Sequence, residues 1–156
     1  MKMANEVEAV LISSLYDVLQ RERFVTLSTV DFETGGPNVS AISWVFAPNQ
    51  QSIVFAVDNR SRIIQNIKKN PLVVLNLIAN ESSYAIHGDA KVKIEKLEEV
   101  PLKLALVELS IKEVRDVMFY GSKISMEPRY EKTYDAEAAA KLDRQVMEAI
   151  KKVSVR

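Results

Sequence analysis

The stretch Val54–Pro71, VFAVDNRSRIIQNIKKNP, runs from the apolar residues Val54-Phe55-Ala56-Val57 through Asp58-Asn59-Arg60-Ser61-Arg62 into Ile63, Ile64 and Ile67, and Pro71 ends the pattern. A short apolar run followed by helical spacing predicts a strand that turns directly into a short helix, with Ser61 placed to cap it. Such a helix start leaves backbone N–H groups without intrahelical partners and carries the positive end of the helix dipole. Together with the Ser61 hydroxyl and the guanidinium groups of Arg62 and Arg60, it would make a compact anion site that suits a phosphate. The same residues also read as a capping serine beside two solvated arginines.

Working outward, Phe24–Val30 is a β-branched run ending in Asp31-Phe32-Glu33-Thr34-Gly35-Gly36-Pro37, a turn. Val39–Phe46 and Ser52–Val57 read as the next two strands of an antiparallel meander, separated by Pro48-Asn49-Gln50-Gln51. After the short helix, Leu72–Ala79 is apolar on both faces, so it needs cover on both sides, from the N-terminal helix or from a second subunit. Tyr84–Ile94 alternates as a half-exposed strand, and Gly88 within it predicts a bulge or a close backbone approach. Helices are expected over about 6–21, where Asn5 and Glu8 resemble a capping box, over Glu98–Leu109, over Ile111–Met118, and over about 135–152, capped by Asp135. A strand is expected at Ser122–Met126. Clustered strands with few helices predict a mainly β chain, a small antiparallel β-barrel with peripheral helices, forming one domain over residues 1–156.

Composition narrows the function. The 21 Lys and Arg balance 21 Asp and Glu, so no global field attracts nucleic acid or an anionic membrane. There are no cysteines and one histidine, which leaves neither an ordinary zinc site nor thiolate chemistry, and no metal ligand set is assigned. No apolar run is long enough to span a bilayer, and the N-terminus does not read as a secretory signal, so a cytoplasmic location is expected.

The order of elements carries more. Gly36-Pro37-Asn38-Val39-Ser40-Ala41-Ile42-Ser43-Trp44, then Ile53 to Arg62, then Asn66-Ile67-Lys68-Lys69-Asn70-Pro71-Leu72-Val73, resembles the FMN-binding split barrel of the pyridoxamine 5'-phosphate oxidase-like family over about Phe24–Ile94. The resemblance implies a homodimer with FMN in a groove between subunits and an oxidoreductase acting on a small molecule. By the same resemblance Ser40, Ala41, Ile42 and Ser43 would line the flavin ring through their backbone, Val57 would face it, and Ser61 and Arg62 would take the phosphate, with Arg60 the residue that would substitute for a second phosphate cation. Two departures stand out. Ile63 occupies the place where relatives often carry a second basic residue, and the C-terminal segment that in the vitamin B6 enzymes carries a tryptophan and basic residues for the substrate phosphate is here the expected helix over about 135–152, Trp44 being the only tryptophan. Vitamin B6 synthesis is therefore not expected. Relatives that carry haem through a histidine draw attention to His87, and a deazaflavin is a third ligand for the same fold; a non-catalytic carrier is the competing class. No general acid or base constellation is legible, which suits chemistry performed by a flavin and equally suits a protein without turnover.

Overall fold

The computed structural model of the chain describes residues 7–154. Its centre is an antiparallel sheet built from β2 (Val25–Val30), β3 (Pro37–Ile42), β4 (Val45–Asn49), β5 (Ser52–Asp58), β6 (Leu72–Ala79), β7 (Ser82–Ile94) and β8 (Leu104–Asp116). The spatial order is β3-β2-β6-β7-β8-β5-β4, and β1 (Val7–Glu8) pairs with β8. The two outermost strands, β3 and β4, are consecutive in the chain and separated only by Ser43 and Trp44. The sheet therefore curls until its ends meet at that corner, where the Ser43 carbonyl accepts from the Arg23 and Val45 amides at 3.0 and 2.9 Å. This differs from a simple meander. The predicted strand Val39–Phe46 bends at Ser43-Trp44 and changes partner, pairing with β2 before the bend and with β5 after it.

Fully buried Leu27, Phe55, Leu75, Ile86, Val107 and Leu109 fill the barrel interior, and helix α2 (Arg62–Lys69) plugs it with Ile63, Ile64 and Ile67. A second apolar layer lies outside β4, β5 and β8. There Phe46, Val54, Leu104 and Leu106 pack against Val146, Met147 and Ile150 of α3 (Ala136–Ser154). Asp135 caps α3 as expected, its carboxylate accepting from the Ala138 amide at 2.9 Å.

Three sequence expectations are corrected. The N-terminal helix expected over about 6–21 is only α1 (Ser13–Val18), without a side-chain cap, because Val7 and Glu8 pair with Arg115 and Val114 instead; Asn5 lies outside the described residues. The helices expected at Glu98–Leu109 and Ile111–Met118 are replaced by turns and the single strand β8. Ala105, Val107 and Leu109 belong to the interior while Leu104 and Leu106 pack toward α3, and a strand apolar on both faces cannot be told from a buried helix by periodicity. Ser122–Met126 forms no strand; its Ile124 amide donates to the Glu81 carbonyl at 2.8 Å. Leu72–Ala79 is buried on one face, while Val74, Asn76 and Ile78 on the other remain partly exposed in the single chain. Gly88 meets both expectations made of it: the β7–β8 register shifts between His87 and Gly88, and the backbone of Ser110 crosses where a side chain would stand.

Candidate functional site

Strand β5 delivers Asp58 to the barrel rim, and three residues later Ser61 caps α2. Its hydroxyl accepts from the Ile63 amide at 3.1 Å, and its carbonyl accepts from the Ile64 amide at 3.1 Å. The Arg60 amide donates to Asp58 Oδ1 at 2.8 Å, while its guanidinium sits 3.5 Å from the same oxygen and is mostly exposed. The Arg60 amide, and after it the guanidinium, hold the Asp58 carboxyl below its ordinary pKa.

Arg62 is placed differently from a free cation. Its Nε and Nη2 donate to Oδ1 and Oδ2 of Asp31 at 2.7 and 3.1 Å, and Nη2 also donates to Glu33 Oε1 at 2.9 Å. Its Cζ stands 4.6 Å from the centre of the Phe32 ring. Asp31 is only 5% exposed and accepts also from the amides of Glu33 and Thr34, so the β2–β3 turn wraps the guanidinium. One positive charge thus lies between two negative ones. Asn66 ties the same helix to the strands: buried at 1% exposure, it donates to Thr29 Oγ1 and Asn38 Oδ1 at 2.9 Å and accepts from the Phe32 amide at 2.8 Å. Sequence reading missed Asp31, Glu33 and Asn66. A polar residue inside the Ile63-Ile64-Ile67 stripe was the available signal for Asn66.

The Arg62 hydrogen bonds hold the Asp31 carboxyl well below the usual carboxylate range. A depressed folded pKa contributes stability that is present above the unfolded value of about 3.9 and is lost as pH falls toward the folded one. Urea unfolding should therefore show stability falling from about pH 4 downward, and Asp31→Asn should flatten that slope while lowering Tm by roughly 3–8 °C at neutral pH. An unchanged acid limb in the variant would contradict this reading of the pair.

Ser40, Ala41, Ile42 and Ser43 lie on or just after β3, which among the described residues has a strand partner on one edge only, β2. Its other edge presents backbone groups beside the exposed Val39. Val57 is 8% exposed and belongs to the interior cluster with Ile63 and Ile64. Ser43 and Trp44 enter a separate polar network. Ser43 Oγ donates to Glu22 at 2.6 Å, Trp44 Nε1 donates to Asp143 at 2.9 Å, and Lys132 Nζ bridges Glu22 and Asp143 at 2.9 and 3.0 Å. Burial disfavours the Lys132 charge, but those two carboxylates outweigh it and raise its pKa. His87 is partly exposed on β7, with Val74 and Glu113 as its cross-strand neighbours. Among the described residues no group of three metal-ligating side chains occurs, and no helix is long and apolar enough to cross a membrane.

The family model described as Pyridoxamine 5'-phosphate oxidase matches residues 13–151, nearly the whole chain. The chain belongs to that family. Solved structures share its fold. A pyridoxamine 5'-phosphate oxidase-like protein of Lactobacillus delbrueckii superposes with TM-score 0.60 at 19% identity, over 72% of this chain and 98% of its own. HupZ of Group A Streptococcus gives 0.57 at 11%, over 74% and 99%, and an F420 reductase gives 0.55 at 16%, over 65% and 96%. Comparison with curated proteins returns no match. At these identities the likeness shows the antiparallel split barrel alone.

For a member of the pyridoxamine 5'-phosphate oxidase family, the fit to a flavin nucleotide divides into two parts. The unpaired edge of β3 at Ser40–Ile42 suits the polar rim of a flavin ring, because backbone N–H and C=O groups complement its alternating acceptors and donor; the Ser43 carbonyl is taken by the Arg23 and Val45 amides. At the start of α2, Ser61, Arg60 and the Arg62 amide suit a phosphate. The Arg62 guanidinium suits one only by exchanging its contact with Asp31 or Glu33.

Proposed function

We propose that the chain binds FMN along the outer edge of β3, with the phosphate at the start of α2, and works as an oxidoreductase on a small molecule. In this reading it is a homodimer whose cofactor lies in the crevice between subunits. The observation that carries it is the edge of β3 at Ser40–Ile42, which has no strand partner among the described residues, in a chain of this family. When bound, FMN supplies the hydride or electron transfer. The chain's part is to hold the ring edge through β3 and to fix the phosphate with Ser61 and Arg60. Asp31 and Glu33 weaken the phosphate site, since a phosphate must compete with them for Arg62.

Fluorescence titration with FMN and riboflavin tests this. Wild type should bind FMN, and Glu33→Gln, which removes the exposed carboxylate from Arg62, should strengthen FMN binding by roughly 3- to 10-fold and leave riboflavin binding unchanged. Equal FMN affinity in the two proteins would remove the phosphate from α2. Binding of neither flavin would reject the flavin reading. Binding of a deazaflavin in their place would reassign the ligand. Bleaching of the bound flavin by NADH or NADPH, with reoxidation by an acceptor, separates an enzyme from a carrier.

A further inference from the structure

A cleft of about 340 Å³ opens at the start of β2, beside the corner where β3 ends. Phe24, Tyr130, Ile78 and Pro128 form its apolar walls, and Glu22, Arg23 and Arg129 supply its charges. The volume lies at the small end of ligand pockets, enough for one ring and a substituent. The Phe24 and Tyr130 rings stand 6.0 Å apart at 40°, too close to admit a third ring between them, so they form a single aromatic corner against which a planar ligand can lie.

The polar groups of the cleft are not equally occupied. Arg23 Nη2 donates to the Ile78 carbonyl at 2.7 Å and to Glu127 at 2.9 Å, so it is both neutralised and fixed. Glu22 accepts from Ser43 and Lys132, and it faces Tyr130, whose hydroxyl pKa is raised by burial first and by Glu22 second. Arg129 is exposed and makes no hydrogen bond or ion pair with the described residues. The cleft thus offers an aromatic corner with one unspent guanidinium at its rim, the combination that pairs a planar apolar body with a carboxylate.

We propose that this cleft binds a small aromatic carboxylate, its ring against Phe24 and Tyr130 and its carboxylate on Arg129. Because the Arg23 amide bonds the Ser43 carbonyl at 3.0 Å, the ligand sits at the far end of the strand assigned to the flavin. It therefore names a substrate class for the function proposed above. It rests on that reading for turnover only, since binding is tested without any flavin.

The experiment is amide NMR of the full-length protein titrated with benzoate, benzyl alcohol and benzylamine. Benzoate is expected to shift the amides of Phe24, Arg129 and Tyr130 saturably, and benzyl alcohol to bind roughly tenfold more weakly. Benzylamine should bind no better than the alcohol. Arg129→Gln, an exposed change, should reduce benzoate affinity by roughly tenfold with Tm unchanged, and Tyr130→Ala should weaken benzoate and benzyl alcohol alike. Shifts confined to other parts of the protein, equal affinity for benzoate and benzylamine, or full benzoate affinity in Arg129→Gln would each overturn the proposal. None of these outcomes touches the flavin reading, which fails or stands on the FMN titration.

Discussion

Gly88→Ala is expected to destabilise the protein by roughly 3 kcal/mol or more, enough to lower Tm by about 6–12 °C. The reason is local and steric. A methyl group at Gly88 would run into the Ser110 carbonyl oxygen and stand 2.8 Å from Leu109 Cδ2. The obstacle is backbone of β8, a central strand held by β7 on one side and β5 on the other, so it cannot move aside without breaking two ladders. Gly36→Ala is the matched control: its added carbon would meet only Thr34 Oγ1, at 3.4 Å, and Tm should change little. Thermal unfolding of the two variants side by side checks this. Equal behaviour would mean that β7 and β8 do not approach as described.

The second large effect is expected at Lys132. Its ammonium joins Glu22, which holds Ser43, to Asp143, which holds Trp44, and so bridges both sides of the corner that closes the barrel. Lys132→Met keeps the length of the side chain but leaves two carboxylates, 18% and 19% exposed, without a counter-charge. Breaking a fully buried pair costs about 3–5 kcal/mol, and the partial exposure here reduces the expected loss to about 2 kcal/mol. The pH dependence separates charge from packing. A raised lysine pKa contributes stability that is complete below the unfolded value of about 10.4 and is lost as pH rises through the folded one. The deficit of Lys132→Met should therefore be full at neutral pH and shrink in strongly alkaline solution, and Glu22→Gln added to it should restore part of the loss. A deficit independent of pH would assign Lys132 to packing alone.

These two sites also mark what the sequence could and could not disclose. Gly88 was legible because a glycine interrupts an alternating strand mainly where the ladder shifts or a second backbone comes close, and Ser61 because a hydroxyl between a strand and an isoleucine stripe is a capping signal. The barrel itself followed from closely spaced strand runs. Strand β8 was hidden because α3 covers one face and the interior the other, which gives Leu104–Leu109 no alternation to read. The Arg62 clamp was hidden for a different reason. Asp31 and Glu33 lie 31 and 29 residues before it, inside a turn that its glycines already account for, and only folding brings the turn over α2. The Lys132 network is more distant still, since it joins residues 22, 43, 44, 132 and 143 through a segment with no regular structure. Local patterns report elements; long-range ion pairs leave no periodic trace.

The assignment of a flavin nucleotide to the edge of β3 is tested most directly by amide NMR of the protein on addition of FMN. The expected result is saturable shifts at Ser40, Ala41, Ile42 and Ser43 together with Ser61 and Arg62. FMN that leaves these amides unmoved, or that shifts only residues on the other side of the barrel, would contradict it.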